Sequence, residues 1–359
     1  MKKIPWSIPS LDNKERKAIL NVFDSKWLSQ GPKTKELEKK ISKEFGGKYV
    51  IMTNNGTSSL ICSLLSHGIG PGDEVIVPSL TFVATVNSIL AVGAKPILVD
   101  NNPKTFNTEI KFIKKKLTKK TKAILPVDIS GISIDIDEFR DFTLKNNLIL
   151  IEDAAEAIGG EYKNRKIGSF GHTTIFSFHM AKVITGIEGG CIITNNKKIS
   201  DSAKLIRSHG ELDKYNSKIF GLNFRISDIH STIILEQLKK IKKFLIHRNR
   251  LAKIYQQELS DFTFQEIPDF VTMHPYMLFA ILISPKKRDK VNYFLNKHGI
   301  DTRICWPPIH RQTFHSKLFK KEKFIGADSV YSQIINLPMG NGLSEEQIIY
   351  VSKMIKKAI

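Results

Sequence analysis

Cysteine is scarce in this 359-residue chain: Cys62, Cys191 and Cys305 are the only three. They are far apart and odd in number, so they outline neither a disulfide framework nor a zinc site. A reducing compartment is the simplest setting. Cys191 follows Gly189-Gly190 in a strand-like run and reads as a small core residue. Long apolar runs are missing as well, and none approaches the roughly 20 residues needed to span a bilayer. The start, Met1-Lys2-Lys3-Ile4-Pro5-Trp6, has no apolar stretch behind its lysines, and Pro5 and Pro9 interrupt it, so it does not read as a secretory signal. The expectation is a cytoplasmic protein with no membrane association. There is no internal repeat and no low-complexity tract.

Acid is in short supply relative to base, with 35 Asp and Glu against 55 Lys and Arg, a net charge of +20. Such an excess raises the question of nucleic acid. The lysines cluster at Lys114-Lys115-Lys116, Lys119-Lys120, Lys239-Lys240, Lys242-Lys243, Lys286-Lys287-Arg288 and Lys320-Lys321. Few aromatics lie between them, and no zinc finger, RNP-like strand or helix-turn-helix accompanies them. They read as solvated helix faces, with attraction of a small anionic substrate as the second reading. No nucleic-acid partner is expected.

What is present is ordinary in amount, at 41% hydrophobic and 25% charged residues. The order of its pieces is informative. Residues 15–24 and 34–45 read as amphipathic helices around a turn at Trp27–Pro32. From residue 49 apolar strands alternate with helices: strands at Tyr49–Met52, Glu74–Val77, Pro96–Val99, Ala123–Val127 and Leu148–Ile151, and helices over residues 55–66 and Thr81–Val92. Near-continuous apolar strands separated by helices predict an α/β fold, a mostly parallel sheet covered on both faces. Thr174–Phe178 and Cys191–Thr194 add strands. One long helix is predicted over Ile226–Glu258 from the spacing of Ile229, Ile233, Leu235, Leu238 and Ile241. Beyond it a strand over Met277–Ile283 mixes with helices over Arg288–His298 and Ser344–Lys357. The expected division is a large domain over 1–245 and a smaller C-terminal α+β domain over 246–359, with the N-terminal segment packing near the latter.

Several residues carry chemistry on this frame. Lys182 is a lone lysine in Ser177-Phe178-His179-Met180-Ala181-Lys182, followed by glycines. The apolar strand at 148–151 ends in Glu152-Asp153-Ala154-Ala155-Glu156. A strand that delivers an acid, then one that delivers a lone lysine, suits pyridoxal phosphate: the lysine forms a Schiff base and Asp153 pairs with the ring nitrogen. Asp153 reads alternatively as a helix cap. Glu156 is placed to reach the cofactor's phenolic oxygen or to be a solvated helix acid. Asn55-Gly56-Thr57-Ser58 opens a helix after a strand, a place for a phosphate or a plain capped turn. Phe82, at a helix start, either stacks on the pyridine or fills the core. Ser177 can donate to the phosphate.

Taken together these motifs resemble the DegT/StrS-type sugar aminotransferases, a branch of the fold-type-I pyridoxal-phosphate enzymes. The likeness runs through Ser25-Lys26-Trp27-Leu28, Asn55-Gly56-Thr57, Gly72–Pro78 with Thr81-Phe82-Val83-Ala84-Thr85, Glu152–Ala157, Gly168-Ser169-Phe170-Gly171, Lys182, Glu188-Gly189-Gly190, Arg207–Gly210, Gly221–Arg225 and Asn336-Leu337-Pro338. The resemblance implies that Lys182 holds the cofactor and shuttles the proton, Asp153 pairs with the pyridine nitrogen, Glu156 lies near the phenolic oxygen and Phe82 stacks on the ring. It implies that Gly56, Thr57 and Ser177 hold the phosphate together with Asn223 of a neighbouring subunit, in a homodimer with shared active sites. Arg225, Arg303 and His310 are candidate contacts to an anionic substrate, and no metal is expected.

The implied reaction passes an amine from an amino-acid donor such as glutamate to a nucleotide-linked keto sugar. The pattern is most like enzymes that aminate carbon 4 of 4-keto-6-deoxy sugars. Where the family often has His-Leu-Tyr-Gly, this chain has Asp128-Ile129-Ser130-Gly131. Met180-Ala181-Lys182 replaces the usual Gly-Asn-Lys or Gly-Thr-Lys, and Thr185-Gly186-Ile187-Glu188 a usual Thr-Thr-Gly-Glu. These departures bear on the sugar more than on the chemistry. Amination of a smaller phosphorylated ketone, another pyridoxal-phosphate reaction such as elimination, and a non-catalytic regulator on the same scaffold stay open at this point.

Overall fold

The computed structural model describes residues 3–319 and 322–359; Met1-Lys2 and the Lys320-Lys321 pair lie outside them. Seven strands form the central sheet: β1 (Tyr49–Thr53), β2 (Glu74–Pro78), β3 (Lys95–Val99), β4 (Thr121–Ile124), β5 (Ile149–Asp153), β6 (Thr173–Ser177) and β7 (Gly190–Thr194). Their order is β1-β7-β6-β5-β4-β2-β3. The strands from β2 to β6 pair in parallel, and β7 runs against both of its neighbours. Strands β2, β6 and β7 are buried at every position. Alternate side chains go to opposite faces: Ile76, Phe176 and Ile193 enter one apolar cluster, while Val75, Val77, Ile175 and Ile192 enter another. The apolar strand runs in the sequence therefore reflect a sheet with two covered faces.

The helices follow the expected alternation. α1 (Asn13–Asp24) buries Val22 and Glu15, whereas α2 (Pro32–Phe45), α3 (Gly56–Ser66) and α4 (Val83–Ala91) each bury several apolar side chains. The start of α2 is fixed at long range. The buried Asp228 carboxylate accepts from the N–H groups of Gly31, Lys33 and Thr34, all at 2.9 Å, which satisfies free donors at the helix N-terminus.

The single helix predicted over Ile226–Glu258 is two helices, Asp228–Leu238 and Ile241–Glu258, broken at Lys239-Lys240. The apolar spacing is real in each half, with Ile233, Ile234, Leu235 and Ile241 all buried. However, the N–H of Lys240 turns back to the carbonyl of Gln237, and Lys240 pairs with Asp12 and Glu15 at the start of α1. A tertiary ion pair at the break overrides a spacing that reads as continuous.

A third apolar cluster combines Leu251, Tyr255, Phe279, Ile281, Val291, Ile335, Val351 and Ile355 with Ile4 from the N-terminal segment. It lies around the antiparallel strands Thr263–Phe264, Phe279–Leu282 and Ile334–Leu337. Ile309, Phe324 and Val330, although late in the chain, pack with the large sheet instead.

One buried cation ties these regions together. Arg248, 1% exposed, reaches the carbonyls of Pro275 (3.2 Å), Tyr276 (3.0 Å) and Met277 (3.0 Å) and the side chain of Asn341 (3.2 Å). Asn341 in turn donates to the carbonyl of Val183 at 2.7 Å, beside Lys182. A lysine cannot fork across three carbonyls. Arg248→Ala is expected to lower unfolding stability by about 3 kcal/mol, because buried carbonyls lose a charged donor. Arg248→Lys should recover only part of it. Denaturant titration checks both.

Candidate active site

The carboxyl ends of parallel strands are where an α/β sheet exposes backbone and places ligands. Here β1, β5 and β6 end side by side with Thr53, Asp153 and Ser177, and β7 begins at Gly190 on the same edge. A cavity of about 480 Å³ opens there, its walls drawn from the starts of α3 and α4, the 153–156 turn and the 177–188 loop. Six residues singled out in the sequence, Gly56, Thr57, Phe82, Asp153, Glu156 and Ser177, line it together with Lys182.

Lys182 projects from a loop pinned at both ends. The N–H of Gly186 donates to the carbonyl of Phe178 at 2.9 Å, and Val183 and Ile184 are buried in the core. Its amine lies 3.4 Å from Glu156 Oε1, and its side chain is only 15% exposed. The second oxygen of Glu156 accepts from the N–H of Ser130 at 2.9 Å. Ser130 adopts a left-handed backbone with φ of 63°, unusual for a serine. This turn aims its N–H inward, and the Ser130 carbonyl then accepts from the N–H of Met277 at 3.2 Å.

Asp153 is buried at the end of β5. It accepts from the hydroxyl of Thr85 at 2.8 Å and from the N–H of Ala155 at 3.2 Å. Burial raises its carboxyl above the ordinary range, while these two donors pull the other way. Its carboxylate is thus held in a dry place with a cationic lysine on the same cavity.

The start of α3 faces the same space. Asn55 caps the N–H of Ser58 at 2.8 Å, and the N–H groups of Gly56 and Thr57 find no protein acceptor among the described residues. Ser177 Oγ accepts only a long bond from the N–H of His179, at 3.4 Å. A Cβ at Gly56 would stand 3.1 Å from Ser177 Cβ and 3.3 Å from its hydroxyl oxygen. Glycine therefore keeps open a cradle of two backbone donors and a hydroxyl, which suits a phosphate. Phe82 is the residue before α4 rather than within it. Its ring is 52% exposed on the cavity side, 5.9 Å from Trp306.

The other sequence candidates lie elsewhere. Asn223 is exposed, bridges Ser208 and does not line the cavity of its own chain. Arg225 faces His209 at 3.4 Å, and Arg303 pairs with Asp301 at 3.0 Å. Both ring nitrogens of His310 are engaged, with Ser79 at 2.6 Å and Asp328 at 3.0 Å. None of these three lines the cavity.

Its outer wall comes instead from Trp6, Trp306 and Met277, with His179 and Glu188 3.8 Å apart at the rim. Sequence reasoning passed over Thr85 and Trp6. The four-residue spacing of Thr81 and Thr85 was a usable signal for the first. Nothing local marks Trp6, which reaches the site because its carbonyl accepts from Met339.

A lysine amine, a buried carboxylate and a phosphate cradle on one cavity fit a pyridine aldehyde carrying a phosphate. The chain matches the DegT/DnrJ/EryC1/StrS aminotransferase family over residues 9–356 and belongs to it. It is an enzyme, an aminotransferase. It is 36% identical over 356 residues to the GDP-perosamine synthase of Caulobacter vibrioides, covering 96% of this chain and 95% of that protein. It is 34% identical to the GDP-perosamine synthase of Escherichia coli O157:H7, covering 99% of each. Among solved structures, Helicobacter pylori PseC, an aminotransferase in pseudoaminic acid biosynthesis, superposes with a TM-score of 0.94 at 29% identity over 99% of both chains. A sugar aminotransferase from Streptococcus pneumoniae in its PLP form gives 0.93 at 26% identity, over 99% of this chain and 100% of that one.

Gly56→Ala tests the cradle. The variant should fold, since alanine suits a first helical turn. It should bind pyridoxal phosphate on the order of tenfold more weakly, about 1.4 kcal/mol. Equilibrium titration of the apoprotein, with circular dichroism as the control, reads both.

Proposed function

We propose that the chain uses pyridoxal 5'-phosphate to transfer an amino group from an amino-acid donor, such as L-glutamate, to the keto carbon of a nucleotide-linked sugar. A 4-keto-6-deoxyhexose is the sugar class that the perosamine-synthase relatives favour. The product is an amino sugar for surface polysaccharide or natural-product glycosylation. The observation that carries the reading is the convergence of the Lys182 amine, the Asp153 carboxylate and the α3 N-terminus on one cavity.

Bound pyridoxal phosphate supplies an aldehyde that combines with amines and a ring that withdraws electrons. Each residue then has a task set by its position. The N–H groups of Gly56 and Thr57 and the hydroxyl of Ser177 hold the phosphate. Asp153 is the buried acceptor for the ring nitrogen's proton, and Thr85 fixes its orientation. Phe82 covers one ring face.

Lys182 is the only lysine lining the cavity among the described residues, so it anchors the cofactor at rest. Once displaced by an incoming amine, it is the group placed to carry a proton at the substrate carbon. Glu156 Oε1 keeps the lysine amine on the cavity side. Trp6 and Trp306 keep water from the mouth.

Asn223, exposed on its own chain, fits a role at the phosphate of a second copy, which makes the working form a homodimer with shared sites in the cytoplasm. The reading divides the chain into a cofactor domain over 1–245 and a small domain over 246–359. Apart from Ile4 of the N-terminal segment, the third apolar cluster is drawn from Leu251 to Ile355, which supports that division.

Lys182→Ala should abolish the visible band of lysine-bound cofactor and cut turnover by roughly 10³-fold or more. Asp153→Asn should keep the band but lower kcat on the order of 10²- to 10³-fold. Absorbance and steady-state assays with glutamate and a nucleotide-linked 4-keto-6-deoxyhexose measure these. Turnover that survives in Lys182→Ala would sink the assignment.

A further inference from the structure

Behind Asp153 lies a second pair of buried acids that the transamination does not use. Asp128 and Glu152 are both fully buried. Asp128 is beside Asp153 in space: its N–H donates to the Asp153 carbonyl at 3.1 Å. Asp128 Oδ1 accepts from the N–H of Ile134 at 3.0 Å. Glu152 Oε2 accepts twice, from His172 Nε2 and from Thr174 Oγ1, both at 2.8 Å. The remaining oxygens, Asp128 Oδ2 and Glu152 Oε1, are buried and have no donor among the described residues.

The two carboxyl groups lie within hydrogen-bonding reach of each other. Ionised carboxylates can only accept, so two of them face to face leave both oxygens unsatisfied at a cost that native interiors avoid. One hydrogen between them satisfies both.

We propose that Asp128 and Glu152 share a single proton, held on Asp128, and that this neutral acid is a positioning residue that keeps the pair's one negative charge on Glu152, whose side chain leaves the strand on the face opposite Asp153. The proton rests on Asp128 because Glu152 Oε2 already takes two donors, which favours its anion, whereas Asp128 takes one backbone N–H. Burial first, and the facing Glu152 second, push the Asp128 carboxyl well above its ordinary range, with Asp153 adding to the effect. Among the described residues, His172 is the basic group paired with these acids, and it meets Glu152 rather than Asp128. An ionised Asp128 would set a second anion against Asp153 and favour protonation of every group nearby. The role, though not the proton itself, rests on Asp153 facing the pyridine nitrogen.

Two variants separate the possibilities. Asp128→Asn keeps the shape and places an amide donor toward Glu152 Oε1, so position 128 stays neutral and the charge stays on Glu152. Glu152→Gln keeps its carbonyl toward His172 and Thr174 and turns its amide toward Asp128, which can then ionise. Infrared spectra of the purified proteins at neutral pH should show a protonated buried carboxyl in the wild type and none in either variant. Absence of that signal in the wild type, or its survival in Asp128→Asn, overturns the shared proton.

The visible band of the cofactor-loaded enzymes is then titrated with pH. Asp128→Asn should match the wild type, and Glu152→Gln should move the midpoint upward by about one pH unit, since the pair's one negative charge then moves from Glu152 to Asp128, beside Asp153, and a nearer anion favours the ring's cation. Equal shifts in the two variants overturn the positioning role. A wild-type enzyme that forms no visible band with pyridoxal phosphate speaks instead against the proposed function, and the infrared result still decides the proton.

Discussion

Glu156 divides its carboxylate between two partners, and the rest of the site is arranged around that fork. One oxygen meets the Lys182 amine and the other the N–H of Ser130. Ser130 can present that N–H only in a left-handed turn, and the adjoining Gly131, at φ of 97°, has no room for a Cβ, which would stand 2.8 Å from the Glu156 carbonyl. The Ser130 carbonyl then receives Met277, the Met277 carbonyl receives Arg248, and Arg248 holds Asn341, which binds the carbonyl of Val183 next to Lys182. The chain of contacts closes on itself. A lysine side chain has four rotatable bonds and little reason to stay in one place. Here its carboxylate partner and its own backbone are fixed by the same buried arginine.

The cavity keeps opposite charges apart by structural means. At one end, backbone donors and the dipole of α3 offer partial positive charge without any side-chain cation. At the other, Asp153 offers a full negative charge in a dry setting where an unpaired anion is costly. Thr85 and the Ala155 N–H reduce that cost. A ligand with a phosphate at one end and a protonatable ring nitrogen at the other meets complementary charge at both. The strand ends impose this, because β1 feeds α3 and β5 ends in Asp153 along one edge of the sheet.

The meeting of these residues on one cavity was legible in the sequence, because each part occupies a short contiguous motif at a strand terminus. Asn55-Gly56-Thr57, Asp153 with Glu156, and Ser177 with Lys182 each combine an apolar strand with the polar residue that follows it. Helix and strand periods place such residues without knowledge of distant contacts. The break at Lys239-Lys240 was not legible, since the apolar spacing runs through it and only the pairing with Asp12 and Glu15 shows the chain turning. The environment of His310 was hidden for the same reason: Ser79 and Asp328, which hold its ring, are far from it in the chain. The Ser130 turn was hidden too, because serine gives no local sign of a positive φ.

The outer wall of the cavity is made by Trp6, Met277 and Trp306, and the first two reach it through long-range bonds: Trp6 through Met339, Met277 through Ser130 and Arg248. Substitutions at Trp6 or Trp306 change the shape of the mouth without touching the strand ends that carry Asp153 and Ser177. Met277 differs, because its backbone joins Ser130 to Arg248 in the ring of contacts that also fixes Lys182. The sheet places Asp153 and Ser177 at its strand ends, and long-range contacts place the side chains of the mouth.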